Sequence, residues 1–328
     1  MNPTAKFELV ESHWGDMERF ILRSPQRVEL EVLAGMGGSV IGWRVPQKGE
    51  TLHLMEGYAS AEEVQERFNS SHCGARLAPF PNRVRSGKWN WCGKSYQLPC
   101  NFPWEQGHAI HGLLFDQKWT KTSWFSAEKF GKLSLECHYD GSQAGFPFAF
   151  KATSTYSLSN AGFQVETTVR NTGEKPMPLG EGWHPYFGFG DSINKLQLRL
   201  PSALKRIEVD DRSIPTGKST ADTTWDKLRA IDDAEINTCW EIPPNESDLA
   251  EVELHCPQRG TIRYWQNMGA KGYKYLQLYT PGHRNYVAIE PMTCPADVLN
   301  NHRDLVVLKP GEEGGRSSWI WGAEFAAN

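Results

Sequence analysis

Two segments of the sequence each place one titratable side chain in a setting that suits proton transfer. His184 lies between a tryptophan and a proline in the glycine-flanked run GEGWHPYFG. Histidine titrates near neutral pH, so a histidine on a constrained backbone suits a general acid or base. Glu290 ends the apolar run VAIE and precedes Pro291, a setting in which desolvation raises the pKa of a carboxyl group toward the range useful for a base. A packed loop histidine and a strand-end salt bridge are the structural alternatives.

Two further segments offer polar side chains that could hold a substrate. The proline-rich loop APFPNRV presents Asn82 and Arg83, and the planar guanidinium fork suits vicinal hydroxyls or a carboxylate. A surface salt bridge is the alternative for Arg83. The segment HAIHG contains His108 and His111, but this H-x-x-H lacks the i, i+4 pairing and the glutamate of a zinc-protease helix, so we expect no metal. His111 is either a hydrogen-bonding site residue or a structural histidine.

Other well-known catalytic motifs are absent from the sequence. It contains no serine nucleophile elbow, Walker motif or dinucleotide fingerprint. The glycine-rich GMGGS at 35–39 has no helix pattern after it, so it indicates a tight turn rather than a phosphate-binding loop. One histidine, one carboxylate and several polar binding residues therefore fit proton-transfer chemistry without a cofactor.

The elements that must position these residues are predicted to be strands. Apolar and polar residues alternate with period two through most of the chain, which is typical of strands with one buried and one exposed face. Parallel strands would read as continuous apolar runs. The pattern predicts an all-β fold, a large antiparallel β-sandwich with few short helices. The clearest alternating segments are 27–32, 132–139, 163–170, 195–200 and 251–256.

Helix and turn signals are few. Ser60 and Glu63 form a capping box ahead of an apolar spacing, which predicts a short helix over 60–69. Residues 222–228 could hold another turn or two of helix, and 159–162 read as a hairpin loop. No internal repeat or change of composition marks a boundary, so we expect one domain over residues 1–328.

Composition excludes several classes of protein. The chain has 328 residues, 35 basic and 39 acidic, with 39% hydrophobic residues, which suits an ample core and excludes a disordered, collagen-like or coiled-coil protein. The net charge of −4 argues against a general nucleic-acid binder. No apolar run approaches the ~18 residues of a membrane span, and the N-terminus lacks a signal-peptide pattern. The 13 tryptophans suit either a broad β core or a sugar-stacking cleft.

The seven cysteines form no C-x-x-C pair and have scattered spacings. With no export signal, this usage predicts reduced thiols in a cytoplasmic protein. Several of the cysteines fall at apolar positions of predicted strands, so we expect most of them to be structural.

Taken together and in this order, the polar segments resemble the aldose 1-epimerase (galactose mutarotase) family. The joint occurrence of N-R, H-G, G-x-H-P-Y-F and E-P-x-T is specific, and the similarity runs from about residue 28 to the C-terminus. The resemblance implies the galactose-mutarotase-like β-supersandwich, in agreement with the periodicity. The matching segments are APFPNRVRSGKW, HAIHGL, GFPFAFKATSTYSL, VRNTGEKPMPLGEGWHPYF, YLQLYTP and VAIEPMTCPADVLN.

The resemblance also implies roles for individual residues. His184 and Glu290 match the family's acid–base pair. The positions that hold the sugar hydroxyls in the family match Asn82, Arg83, His111 and Gln277. The family's sugar-binding aspartate lies in a D-x-x-F segment, whose nearest match here begins at Asn237, with asparagine in place of aspartate. Asp232 or Asp233, just upstream, could shift into that register.

The implied reaction interconverts the α and β anomers of a hexose such as glucose or galactose. Glu290 would remove the proton of the anomeric hydroxyl while His184 protonates the ring oxygen, and ring closure would reverse both steps. We expect the two side chains only a few ångströms apart, on opposite sides of the anomeric carbon, in an open polar cleft. We expect a small-molecule sugar as the partner, a monomer or homodimer, and no cofactor, metal, nucleic acid or membrane.

Two alternatives remain. A hexose-6-phosphate 1-epimerase would need extra basic residues at the cleft mouth, and Arg76 and Arg85 flank the Asn-Arg loop. Regular strand alternation would put Arg83 and Arg85 on one face, which favours this alternative slightly. A non-catalytic sugar-binding protein on the same fold is the other, although a pure binder has no need of a matched acid and base.

Overall fold

A computed structural model describes residues 6–101, 107–269 and 272–328, with the side chains at 315–318 excluded. Within these residues the chain forms 26 strands and two α-helices, α1 (Ala61–Ser71) and α2 (Val298–Asn301). The strands are β1 Glu8–Trp14, β2 Met17–Arg23, β3 Glu29–Leu33, β4 Ser39–Gln47, β5 Glu50–His53, β6 Arg83–Val84, β7 Lys88–Trp91, β8 Lys94–Gln97, β9 Ala109–Ile110, β10 Thr120–Ser126, β11 Gly131–Tyr139, β12 Phe150–Leu158, β13 Gly162–Asn171, β14 Met177–Leu179, β15 Tyr186–Gly188, β16 Gln197–Arg199, β17 Leu204–Val209, β18 Pro215–Asp222, β19 Arg229–Ala230, β20 Asn237–Glu241, β21 Leu249–Cys256, β22 Gly260–Asn267, β23 Tyr275–Tyr279, β24 Tyr286–Met292, β25 Val306–Leu308 and β26 Glu313–Ala327.

Three sheets make up most of this architecture. A five-stranded sheet runs in the order β1-β2-β3-β4-β5. A nine-stranded sheet runs β10-β11-β12-β13-β26-β22-β21-β16-β19, and a six-stranded sheet runs β15-β24-β23-β20-β17-β18. Neighbouring strands in the described chain pair antiparallel, for example β12 with β13 and β23 with β24. The predicted all-β antiparallel fold is confirmed.

The predicted alternation is confirmed in the central strands. Along β12 buried and half-buried residues alternate without interruption from Phe150 to Leu158, and β11 and β13 follow the same rule. One face of each strand therefore lies against the core and the other faces out. The strand predicted over 195–200 is shorter, β16, because a 3-10 helix occupies Ile193–Lys195.

Tryptophans supply much of the core. Among the described residues five are essentially fully buried, and none lines the cavity described in the next subsection. The high tryptophan count thus reflects a broad β core rather than a sugar-stacking surface. The five are Trp43, Trp89, Trp183, Trp319 and Trp321.

The predicted helix over 60–69 is confirmed as α1. The Ser60 side chain accepts a hydrogen bond from the Glu63 backbone N–H, and the Glu63 carboxylate accepts one from the backbone of Ala59. Both satisfy donors at the N-terminus that lack helical partners. Val64 and Phe68 are the buried face of the helix.

The possible helix over 222–228 is wrong. The segment after Asp222 consists of turns and bends. The Asp222 carboxylate accepts hydrogen bonds from the Thr224 backbone N–H and from Trp240 Nε1, both at 2.9 Å. Such local side-chain bonding competes with helix formation.

The cysteines carry free thiols, as predicted, and four of them are buried: Cys73, Cys137, Cys256 and Cys294. Neither described α-helix has the length and apolarity to cross a bilayer. Residues 1–5, part of the segment on which the signal-peptide prediction rests, lie outside the described residues.

A fully buried ion pair lies inside the sandwich. Two of the three guanidinium nitrogens of Arg76 donate to Glu181, Nε to Oε1 at 2.9 Å and an Nη to Oε2 at 3.0 Å. Neither side chain is exposed. The guanidinium also donates to the carbonyl oxygens of Thr153 and Thr168 and to the Ser154 hydroxyl. The arginine charge is therefore surrounded by acceptors, as burial of a charge requires.

Removing one partner of this pair will destabilise the protein strongly. Arg76→Met leaves the Glu181 carboxyl buried without its counter-charge, so we expect the free energy of unfolding to fall by about 3–5 kcal/mol, measured by urea denaturation followed by tryptophan fluorescence. Arg199→Met breaks a two-bond pair with Glu253 whose side chains are 37% and 26% exposed, and should cost below about 1 kcal/mol. Equal losses in the two variants would contradict the argument.

Candidate active site

Antiparallel register aligns the predicted carboxylate with polar partners. Glu290 on β24 lies directly opposite Gln277 on β23, and Asn237 on β20 lies opposite Tyr279. Facing residues of paired strands point to the same side of a sheet. Gln277 Nε2 donates to Asn237 Oδ1 at 3.0 Å, so the three side chains form one polar patch on the six-stranded sheet.

His184 is held through its backbone and through ring contacts. Its N–H donates to the Ala75 carbonyl and its carbonyl accepts from the Gly74 N–H, both at 2.9 Å. The imidazole stacks on the Tyr186 ring at a centroid distance of 4.9 Å and meets the edge of the His111 ring at 5.1 Å. Backbone and ring are thereby both fixed.

The structure brings His184 and Glu290 together although 106 positions separate them. His184 Nε2 lies 3.5 Å from Glu290 Oε1, and the side chains are 7% and 3% exposed. This separation is too small for the two groups to stand on opposite sides of a carbon atom. Without a sugar the two groups lie side by side, and the predicted placement on opposite sides of the anomeric carbon stays a prediction for the bound state. His184 Nδ1 and Glu290 Oε2 are also buried, and no hydrogen-bond partner for either lies among the described residues.

A small ribbon places the Asn-Arg pair beside His111. β6 pairs with β9 so that Arg83 faces Ile110, and the His111 N–H donates to the Asn82 carbonyl at 3.0 Å. Asn82 and His111 both adopt positive φ, 55° and 63°. Asparagine and histidine tolerate this region better than most residues, and such conformations cluster at functional sites.

Gly112 explains why the chain can turn so tightly after His111. Its φ is +77°, and a Cβ there would lie 2.2 Å from the Ala78 carbonyl oxygen. Only glycine fits this close approach of two backbones. The H-G dipeptide of the sequence therefore has a structural reason as well as a possible chemical one.

All seven predicted site residues line one cavity of about 100 Å³. Six of them are less than 9% exposed, and only Asn237 is exposed. The lining residues are Ser70, Ser71, His72, Asn82, Arg83, Ile110, His111, His184, Tyr186, Asn237, Gln277, Tyr279 and Glu290.

Asn237, the nearest match to the family's D-x-x-F segment, lines the cavity. Asp232 and Asp233 are exposed and do not line this cavity. Asp232 lies in a turn at φ 48°, where its carbonyl accepts from Arg284. The structure therefore brings Asn237, and neither of the upstream aspartates, to the cavity.

His108 does not line the cavity. Its Nδ1 accepts a hydrogen bond from the Ser86 backbone N–H at 2.8 Å, so it fastens a neighbouring loop. No group of three or more His, Cys, Asp or Glu side chains suited to holding a metal ion occurs among the described residues.

His72 is a lining residue that sequence reasoning missed. It ends α1 in the left-handed conformation, φ 47°, with its N–H donating to Phe68 O. Its ring centroid lies 4.7 Å from that of His111. Nothing in the local spacing around His72 indicated the site, because the end of a helix delivers it there. Tyr186 also lines the cavity and was not predicted, although its place in the HPYF motif beside His184 could have indicated it.

Burial shifts the pKa values of the three histidines and of the glutamate in the cavity. Desolvation lowers the pKa of His184 from 6.5 to about 3 and that of His72 to about 4, and the proximity of His72 adds to the shift at His184. Desolvation likewise lowers the pKa of His111 well below its usual value. It raises the pKa of Glu290 well above 4.5, against the opposing effect of the positive charge on Arg83. The unliganded site thus favours neutral histidines and a protonated carboxyl group.

The basic residues proposed for a phosphate do not serve that role. Arg76 is the buried partner of Glu181 and does not reach the cavity. Arg85 leaves the strand because a 3-10 helix begins there, Arg85–Gly87, and its side chain pairs with Asp210 at 2.6 Å. Arg83 and Arg85 therefore do not share a strand face, and neither Arg76 nor Arg85 lines the cavity.

Comparison with known proteins agrees with this architecture. The aldose 1-epimerase family model matches residues 19–320, and the chain belongs to that family. A galactose mutarotase-like protein of Clostridium acetobutylicum has a similar crystal structure, with a TM-score of 0.81 and 21% sequence identity over 98% of this chain and 99% of that one. The galactose-mutarotase-like fold is thereby confirmed.

Two curated proteins are similar in sequence. The uncharacterized protein YihR of Escherichia coli strain K12 is 28% identical over 255 residues, which cover 75% of this chain and 78% of YihR. The galactose mutarotase of Sus scrofa is 24% identical over 338 aligned positions, 93% of this chain and 94% of the pig protein.

The buried histidines should make stability fall on acidification. A histidine whose folded-state pKa lies below its unfolded-state value binds fewer protons when folded, so stability falls as pH drops below about 6.5. For His72, with a pKa of about 4, we expect a contribution of about 2 kcal/mol lost between pH 7 and pH 5. His72→Asn should reduce the pH dependence of urea unfolding by that amount.

His13→Asn is the matched control, because His13 lies at an exposed position of β1. It should change the pH dependence far less than His72→Asn does. The Glu290 shift has the opposite sign, so Glu290→Gln should steepen the acid-side loss. Equal pH dependence in His72→Asn and wild type would refute the neutral, desolvated state of His72.

Proposed function

We propose that the protein is a mutarotase that interconverts the α and β anomers of a free hexose such as glucose or galactose. The observation that carries the proposal is the buried contact between His184 and Glu290, 3.5 Å apart. Mutarotation needs one proton removed from O1 and one delivered to O5, and both oxygens are bonded to C1. Two adjacent groups match two adjacent oxygens, each within hydrogen-bonding reach. The similarity to pig galactose mutarotase over most of both chains adds support.

The catalytic cycle that we propose needs only one proton on the His184–Glu290 pair before the sugar reacts. In the unliganded site that proton belongs on Glu290, as the pKa directions require. It passes to His184 Nε2 when the sugar binds, and the charge of Arg83 favours the resulting carboxylate. Glu290 then removes the O1 proton, the C1–O5 bond breaks, and His184 protonates O5. The open-chain aldehyde forms beside a neutral histidine and a protonated carboxyl group.

Ring closure reverses these steps on the other face. Rotation about C1–C2 presents the opposite face of the aldehyde to O5. His184 takes the O5 proton, the C1–O5 bond forms, and Glu290 returns its proton to O1. Atoms and charge balance without any added reagent, and each proton transfer contributes roughly 10²–10⁴-fold.

The remaining polar residues would position the sugar. Arg83 and Asn82 are joined by a hydrogen bond of 2.9 Å at one wall, and Gln277 with Asn237 forms another. Their amide and guanidinium groups can donate to or accept from ring hydroxyls. Holding the ring in one orientation supplies catalysis through proximity.

The two alternatives have less support. A hexose 6-phosphate would need additional positive charge to hold its phosphate group. Neither Arg76 nor Arg85 lines the cavity, so neither residue supplies that charge. For a pure sugar-binding protein, burying a carboxyl group against a histidine costs free energy that binding alone does not require. Polarimetry of freshly dissolved α-glucose, α-galactose and glucose 6-phosphate separates the three.

Removing either member of the pair should abolish most catalysis. We expect His184→Asn and Glu290→Gln each to reduce the mutarotation rate by at least about 10²-fold, because each deletes one proton-transfer group. The surface pair of His138 and Glu136, at 2.6 Å, offers matched controls, and His138→Asn and Glu136→Gln should retain full activity. Circular dichroism checks folding. Near-wild-type rates in a folded His184→Asn or Glu290→Gln protein would refute the acid–base assignment.

The proposed chemistry should need no metal ion. The histidines lack metal-ligand spacing and the cysteines lack pairing. Exhaustive treatment with a chelator should therefore leave the polarimetric rate unchanged. Loss of activity that zinc restores would contradict this prediction.

A further inference from the structure

The C-terminal end of α1 contributes three residues to the wall of the candidate active-site cavity: Ser70, Ser71 and His72. The hydroxyl groups of both serines already donate to the Arg67 carbonyl inside the helix. His72 differs from them, because none of the described residues forms a hydrogen bond with a nitrogen of its ring. The residue is nevertheless only 2% exposed. Buried polar groups almost always have hydrogen-bond partners, so this imidazole is available to a ligand in the cavity.

Other rings hold the His72 imidazole in place. It meets Phe115 edge-on at a centroid distance of 5.0 Å, and the His111 ring lies 4.7 Å away. The His72 N–H donates to the Phe68 carbonyl at 2.7 Å, which fixes the backbone. Burial lowers the pKa of His72 to about 4, so the ring is uncharged at neutral pH. A neutral imidazole has one N–H donor and one acceptor nitrogen, and a sugar hydroxyl can pair with either.

The polar walls of the cavity differ beside its two reactive groups. On the histidine side, His184 meets His111 at a centroid distance of 5.1 Å, and His111 in turn meets His72. Glu290 adjoins an amide instead, because it faces Gln277 across the pair of β23 with β24. A row of histidines therefore leads away from His184, while amide groups lie beside Glu290.

The proposed reaction determines how a hexose lies against these walls. In that reaction His184 serves the ring oxygen O5, and Glu290 serves the anomeric oxygen O1. O5 is bonded to C5, which carries the hydroxymethyl carbon C6, whereas C2 is bonded to C1 on the side away from O5. The C5–C6 edge of the sugar then runs along the row of histidines, and the C2 hydroxyl lies near the amides.

We infer that His72 is a specificity-determining residue that forms a hydrogen bond with the C6 hydroxyl of the sugar. The preferred substrates are then hexoses with a free hydroxymethyl group, over 6-deoxyhexoses of the same configuration. This inference rests on the proposed mutarotase function and names a part of the substrate that the site recognises. His72 contacts the sugar in this arrangement but no atom whose bonds change.

Polarimetry of glucose, 6-deoxyglucose and 2-deoxyglucose tests the inference in wild-type protein and in His72→Phe. Phenylalanine keeps a ring against Phe115 and His111 and removes both nitrogens. The readout is the ratio of kcat/KM for glucose to kcat/KM for 6-deoxyglucose, from which a general loss of activity cancels. We expect this ratio to be at least about tenfold lower in His72→Phe, because wild-type His72 is left unpaired by the deoxy sugar.

A second variant keeps the test decisive if His72→Phe fails to fold. His72 has a left-handed backbone, φ 47°, and glycine is favoured at such a helix end. His72→Gly therefore removes the imidazole without backbone strain, and we expect the same tenfold fall in the ratio. Circular dichroism checks the folding of both variants.

Two controls separate a contact with C6 from a general disturbance of the site. The ratio for glucose to 2-deoxyglucose should be the same in wild type and in the His72 variants, because the C2 hydroxyl lies near Gln277. His108→Phe disturbs the segment three residues before His111, from a buried position that does not line the cavity. It should leave both ratios unchanged.

The possible failures are distinguishable. A fall of less than tenfold in the 6-deoxyglucose ratio of a folded His72 variant overturns the inference. An equal fall in the 2-deoxyglucose ratio, or the same fall in His108→Phe, also overturns it. If wild-type protein accelerates the mutarotation of none of the three sugars, the proposed mutarotase function is overturned instead.

Discussion

The buried ion pair between Arg76 and Glu181 is the interaction on which the site depends. Its charges cost several kcal/mol each to remove from water, so they persist only in one well-bonded geometry. Arg76 forms an isolated bridge with Trp183, next to His184. The Glu181 backbone N–H donates to the Thr293 hydroxyl, and the Thr293 backbone N–H donates to the Glu181 carbonyl, both at 2.9 Å. The segment that carries His184 and the segment that carries Glu290 are therefore both hydrogen-bonded to the residues of this buried ion pair.

Backbone pairing then sets the positions of the His184 and Glu290 side chains. The His184 N–H and carbonyl form hydrogen bonds with residues 75 and 74, respectively. The position of Glu290 is set by the register of β23 with β24. The result is a contact of 3.5 Å between His184 Nε2 and Glu290 Oε1. Such adjacency suits two oxygens on one carbon better than a straddling arrangement would, because both groups can approach the same edge of the sugar.

Sequence alone predicted those parts of the structure that local patterns encode. The alternation over 163–170 and the capping box at Ser60 and Glu63 depend on neighbouring residues, and β13 and α1 followed. The motifs around His184 and Glu290 marked the candidate pair. The burial of Arg76, the entry of His72 into the site and the side-by-side contact depend on long-range packing, which no local spacing reports. Arg76 was misread for the same reason, since an arginine near a loop ordinarily faces solvent.

The burial of His184 and Glu290 determines which protonation state the site stabilises. With desolvation lowering the pKa of His184 to about 3 and raising that of Glu290, the carboxylate–imidazolium form is the less stable one, and neighbouring His72 adds to the cost. In the proposed cycle that form precedes ring opening, whereas the neutral pair accompanies the open-chain aldehyde. The proton arrangement that the empty site prefers is thus the one that goes with the intermediate. Under the proposed mechanism such a site accelerates both directions to the extent that the ring-opening transition state shares this proton arrangement.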